Sequence, residues 1–156
     1  MHQPDCIFCA IAKGEAPCHK IWEDEKHLAF LSIFPNTPGF SVIITKEHYS
    51  SYAFDQTDEV LTGLVLATKQ VAQRLTKFFP DTKRCGMFFE GYGVDHLHSK
   101  LSPMHGAGEF GEGGSAEQAR PGLFFDKYPG YLSSHDYQRA DDTQLAELAA
   151  KIRAAV

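Results

Sequence analysis

The stretch His27-Leu28-Ala29-Phe30-Leu31-Ser32-Ile33, followed by Pro35-Asn36-Thr37-Pro38-Gly39 and then Phe40-Ser41-Val42-Ile43-Ile44-Thr45, sets two apolar runs around one cluster of turn formers. Runs rich in β-branched and aromatic residues read as strands, and proline, asparagine and glycine between them read as a turn. A connection this short favours antiparallel pairing. Cys18 to Trp22 reads as a strand ahead of them, across the turn Glu23-Asp24-Glu25. Downstream, Val60, Leu61, Leu64, Val65, Val71, Ala72, Leu75 and Phe79 recur at helical spacing. They predict a helix from Asp58 to Phe79, capped by Thr57, stopped by Pro80 and packed on the sheet by its apolar face. Two further strands are expected at Cys85 to Glu90 and Asp95 to Pro103, and a short helix over residues 6 to 13 ends at Gly14. The fold class is α+β, an antiparallel sheet covered by helices.

The length of 156 residues fits one domain, and 43% hydrophobic with 12% aromatic residues suffices to bury a core. A net charge of −5 argues against a nucleic-acid polymer or an anionic membrane as partner, since both require dense Lys/Arg patches. Met1-His2-Gln3-Pro4-Asp5 opens no export signal, and no run approaches the roughly 18 apolar residues of a membrane span, so a cytoplasmic location is expected. Within the single domain over residues 1–156, residues 1–105 form the core. Gly106 to Gly114 holds five glycines and two glutamates, which predicts a mobile loop over residues 106–120. Residues 121–156 read as a docked extension ending in a helix from Asp142, capped by Asp141, with Leu145, Leu148, Ala149 and Ile152 on one face.

The chemistry concentrates in Glu90-Gly91-Tyr92-Gly93-Val94-Asp95-His96-Leu97-His98-Ser99-Lys100-Leu101. Side chains alternate along a strand, so His96, His98 and Lys100 share one face and Leu97, Ser99 and Leu101 the other. Gly91 and Gly93 let the backbone approach a ligand closely, and their N–H groups suit phosphate oxygens. Imidazole suits attack on phosphorus because it is largely neutral at cellular pH, and a histidine phosphoramidate divides one hard displacement into two. Cys6, Cys9, Cys18 and Cys85, in a chain without an export signal, are expected to be reduced. Taken alone, Cys6 and Cys9 read as small buried hydrophobes of a short helix.

Leu28-Ala29-Phe30 through Pro38-Gly39, Val42-Ile43-Ile44-Thr45-Lys46-Glu47-His48 and Val94-Asp95-His96-Leu97-His98 together resemble the histidine triad (HIT) superfamily in order and spacing. Cys6-Ile7-Phe8-Cys9-Ala10-Ile11, with Gly14-Glu15-Ala16-Pro17 behind it, is similar to the start of many bacterial members, so the resemblance spans roughly residues 5 to 105. It implies a homodimer whose two five-stranded sheets join, and a small-molecule nucleotide held in a cleft. It further implies attack on the α-phosphate by the middle histidine, His98, and release of a nucleoside monophosphate by water. Ile7, Phe8, Ile11, Phe30 and Ile33 match the wall that holds the base, and Gly91, Tyr92, Gly93 and Val94 are the expected phosphate-binding stretch. Cys6, Cys9, His48 and His96 match the ligands of a structural zinc. Two thiolates and two imidazoles are a standard closed tetrahedral shell for that metal.

Three departures from the pattern bear on activity. Lys100 stands where a third histidine is usual; it can clamp a phosphate but, at a reference pKa of about 10.4, is a poorer proton shuttle. The nucleotidyl transferase branch also alters this position, so transfer or phosphorolysis stands beside hydrolysis, and His105 is a second candidate for the missing imidazole. Ser32 replaces an aspartate that binds both ribose hydroxyls, and Tyr92 replaces a common glutamine. A nucleotide-binding regulatory protein without turnover is the competing class, although such a protein has no chemical need for His98.

Overall fold

The first helix, α1 (Ile7–Lys13), stops where Gly14 turns to φ 76°, a left-handed conformation in which the cap N–H groups bond back to Ala10 and Ile11. The computed structural model describes residues 3–106, 132 and 141–143. After α1 come β1 (His19–Glu23), β2 (His27–Leu31), β3 (Ser41–Thr45), a 3₁₀ turn (Ala53–Asp55), α2 (Asp58–Phe78), β4 (Thr82–Phe88) and β5 (His98–His105). The strands form one antiparallel sheet in the order β1-β2-β3-β5-β4. The sequence expectation of an α+β fold with five antiparallel strands holds.

Each face of the sheet carries its own core. On one, Ala29, Ile43, Leu97 and Leu101 pack with Leu64, Ala67, Val71 and Leu75 of α2. On the other, Leu28, Phe30, Val42 and Ile44 pack with Ile11 and Phe8 of α1. Strand alternation produces both sets from the same residues, since Ala29 and Ile43 point one way and their neighbours the other. Ile43 and Leu64 are fully buried, and truncating such a residue to alanine costs about 2–5 kcal/mol. Thr57 caps α2 by accepting from the Val60 amide, and Asp58 and Glu59 complement the positive end of the helix dipole.

Several strand limits differ from the sequence expectation. β1 begins at His19 and carries a bulge between Lys20 and Trp22. β2 ends at Leu31, because the Ser32 hydroxyl accepts the Phe34 amide and turns the chain there. β4 starts at Thr82, across an irregularity that ends at Cys85, and stops at Phe88. β5 begins at His98 rather than Asp95. Its expected first residues bond elsewhere: the Leu97 amide donates to the Tyr49 carbonyl, and the Asp95 carboxylate accepts the Ser51 amide at 2.8 Å. The 3₁₀ turn over Ala53–Asp55 had no counterpart in the sequence reading.

The chain divides into two compact units, Met1–Gly114 and Ser115–Val156. In the second, Asp142 and Thr143 are helical, where the sequence predicts a helix start. The expected glycine-rich loop beyond Gly106, and the packing of the extension and its helix, lie outside the described residues.

Candidate active site and metal centre

His96 lies at 0% exposure just ahead of β5 and joins two groups of residues. Its Nδ1 stands 3.4 Å from Cys6 Sγ and 3.6 Å from Cys9 Sγ, while Cys9 Sγ is 3.4 Å from His48 Nδ1. One ligand atom from each of Cys6, Cys9, His48 and His96 lies within 4.8 Å of the others. For tetrahedral zinc with bonds of about 2.3 Å to sulfur and about 2.05 Å to nitrogen, sulfur and nitrogen should be about 3.6 Å apart. The cluster therefore has the donor chemistry of a zinc shell, with three sulfur–nitrogen distances that match one and all four ligand atoms close enough to bind a metal. His96 Nε2 is 2.8 Å from the Thr45 carbonyl, which can only accept. The ring proton thus sits on Nε2, and Nδ1 turns its lone pair to the thiols, as outer-shell carbonyls commonly orient metal-binding histidines. Burial, foremost, raises the Cys9 thiol pKa; a bound dication reverses that balance and holds the thiolate.

The backbone of His96 serves the second group. Its carbonyl accepts from His98 Nδ1 at 2.7 Å, so the neutral His98 ring carries its proton on Nδ1 and its lone pair on Nε2. His98 is 3% exposed on β5, opposite Ile44. Its pKa is lowered by burial above all; the bond to the His96 carbonyl works against this, Lys100 adds to it and Glu90 opposes it. On the opposite face, Ser99 is anchored to α2. Thr68 Oγ1 donates to the Leu64 carbonyl and accepts from Ser99 Oγ at 2.6 Å. β5 is thereby held on both sides of His98.

The sequence alternation holds in space even though pairing starts at His98. Phe8 of α1 meets both His96 and His98 edge-on, at centroid distances of 5.8 and 5.4 Å, whereas Leu97 and Leu101 lie in the α2 core. Phe8 also meets Phe30 at 5.7 Å, and Ile11 joins the same cluster, so Phe8, Ile11 and Phe30 are brought beside His98. Ile7 is half-exposed, and Ile33 and Tyr92 are 71% and 70% exposed. Ser32 and Val94 are partly buried. Gly91, at φ 64°, must be glycine on steric grounds too: a Cβ would stand 2.8 Å from the Ser51 carbonyl oxygen. Gly93 takes φ 99°. An open groove of about 900 Å³ between the end of α1 and the start of α2 is lined by Lys13, His27, Glu59 and Leu66 among others, and by none of the candidate site residues.

Lys100 forms an ion pair with Glu90, Nζ to Oε2 2.5 Å, at side-chain exposures of 27% and 12%. Sequence reading passed over Glu90; its one signal was an acid at the head of the glycine loop. The Thr45 and His96 carbonyls, being backbone groups, left no signal. His105, the alternative imidazole, is engaged elsewhere. Its Nε2 donates to the Pro38 carbonyl at 2.9 Å and its Nδ1 faces the Asp81 carboxylate at 3.2 Å, and these two contacts raise its pKa.

Comparison with known proteins gives this arrangement a context. The HIT domain model matches residues 13–105. An adenosine 5′-monophosphoramidase of Schizosaccharomyces pombe is 32% identical over 99 residues, covering 63% of this chain and 73% of that protein. A crystal structure from Streptococcus mutans superposes with a TM-score of 0.68 at 27% identity, covering 98% of this chain and 86% of the other. A zinc-bound histidine triad protein of Mycobacterium smegmatis superposes with a TM-score of 0.60 at 25% identity, covering 70% and 81%. With this match across the sheet, α2 and the histidine motif, the chain belongs to the HIT domain family.

Proposed function

We propose that this protein is a nucleotide hydrolase that cleaves the α-phosphate bond of a nucleotide conjugate through a covalent nucleotidyl intermediate on His98. The observation that carries this reading is the 2.7 Å bond from His98 Nδ1 to the His96 carbonyl, which leaves the Nε2 lone pair free to attack. In the first step Nε2 bonds to phosphorus and the bond to the leaving group breaks, the leaving group taking a proton from solvent water as it departs. In the second, water attacks phosphorus, the phosphorus–nitrogen bond breaks, and a nucleoside monophosphate is released. Lys100, partly exposed on the same face, donates N–H bonds that position the phosphoryl oxygens for attack. Gly91, Gly93 and Val94 offer backbone N–H groups to the phosphate, and Tyr92 flanks them. Ile7, Phe8, Ile11, Phe30 and Ile33 hold the base, and Ser32 contacts the sugar.

The Schizosaccharomyces pombe relative, by its name, acts on an adenosine 5′-phosphoramidate, and we carry that class of substrate to this chain. Cys6, Cys9, His48 and His96 would hold a structural zinc, next to the His96 carbonyl that orients His98. The protein works as a homodimer in the cytoplasm; among the described residues no helix is long and apolar enough to cross a membrane. Transfer to an acceptor other than water is the second reading, favoured by Lys100 at the third motif position. Mass spectrometry after incubation with a panel of nucleotide conjugates tests the proposal. A nucleoside monophosphoryl group on the peptide that contains His98 is expected, and turnover with the adduct on another residue would overturn it.

A further inference from the structure

Among the described residues, Lys100–Glu90 is the least exposed of the ion pairs between a lysine and a carboxylate. Its position follows from the sheet. Lys100 stands opposite Phe88, the last residue of β4, and two residues further on Glu90 returns its carboxylate to Nζ before Gly91 turns the chain. Lys100 lies two residues beyond His98 on β5, and so on the same face. A free lysine here would present a full positive charge to a phosphate. With Glu90 at 2.5 Å the position still offers N–H donors, but a carboxylate offsets the lysine charge.

We propose that Glu90 is a specificity-determining residue that, by neutralising Lys100, makes the site accept a phosphoryl group bearing one negative charge and reject one bearing two. The inference rests on the reading of His98 as the phosphoryl-accepting residue. An α-phosphate within a diester, anhydride or phosphoramidate carries one charge. The nucleoside monophosphate released from it carries nearly two above about pH 6, where its second proton is lost. A lysine whose charge Glu90 offsets holds the first, and the Glu90 carboxylate disfavours the second. The pair therefore favours substrate over product and speeds product release.

Titration calorimetry at pH 8 with adenosine 5′-monophosphate, and steady-state turnover of adenosine 5′-phosphoramidate, test this on the wild-type protein, Glu90→Gln, Lys100→Met and the double variant. Affinity for the monophosphate should follow the net charge of the pair. Glu90→Gln should bind it about 5- to 10-fold more tightly, Lys100→Met more weakly than wild type, and the double variant between those two. For the phosphoramidate, KM in Glu90→Gln should fall about 2-fold, with product inhibition correspondingly stronger. A role confined to folding never tightens binding. Unchanged or weaker monophosphate binding in Glu90→Gln, or equal tightening for both ligands, would overturn the proposal while leaving the His98 reading intact. Turnover that survives in His98→Ala would remove the reading it rests on. Should Lys100→Met fail to fold, the comparison of Glu90→Gln with wild type decides alone.

Discussion

The carbonyl oxygen of His96 receives the Nδ1 proton of His98 at 2.7 Å, while the ring of the same His96 faces Cys6 and Cys9. One residue thus faces the candidate metal with its side chain and the candidate nucleophile with its backbone. A fully buried ring held between the Thr45 carbonyl and the two thiols has little freedom to rotate.

The purified protein should contain about one zinc per chain, and Cys9→Ser should lower both zinc content and melting temperature, because metal binding is linked to folding. It should also slow turnover without moving any adduct away from His98. Elemental analysis, calorimetry and peptide mapping check the three statements. A metal-free chain of unchanged melting temperature and rate would refute a structural zinc.

Lys100→Ala should reduce kcat on the order of 10²-fold, the scale observed when one preorganised donor is removed from developing charge. Nucleotide affinity should change far less, because the base wall and the glycine loop are untouched. Steady-state kinetics checks this. A change in KM alone would place Lys100 in ground-state binding.

His105 joins the end of β5 to Pro38 and to Asp81 ahead of β4, and both contacts favour its charged form. Its pKa in the fold is raised above the reference value of 6.5, so the stability it contributes is fully present below about pH 6.5 and is lost as pH rises through the folded value. Melting curves of wild type and His105→Gln should therefore differ most near pH 6 and converge in alkaline solution. A gap that widens with pH would contradict the assignment.

β4 is an edge strand among the described residues, with Met87 46% exposed on it. A strand edge with an exposed apolar side chain invites pairing with a second chain. Sedimentation should return twice the chain mass of 17.4 kDa, and a monomer at micromolar concentration would contradict the dimer.

The fold was legible where burial enforces a period. Val42, Ile43 and Ile44 alternate between two cores, and the α2 stripe of Leu64, Val71 and Leu75 meets the sheet as expected. The strand ends were less legible, because backbone bonds to distant loops set them: the Tyr49 carbonyl and Ser51 amide keep residues 95–97 out of β5, and neither can be read from their side chains. At the site, the Cys6, Cys9, His48 and His96 set was visible as residue types and converges in space. Glu90 was not, since a carboxylate ten residues from its lysine pairs with it only because β4 and β5 are neighbours.

The measurement that tests the account most directly is the paired turnover and nucleotide affinity of His98→Ala. If Nε2 of His98 attacks phosphorus, the substitution should abolish turnover and the covalent nucleotidyl adduct, while affinity for the nucleotide stays within about 3-fold, since other groups supply binding. Full turnover by His98→Ala with any nucleotide conjugate would contradict the mechanism.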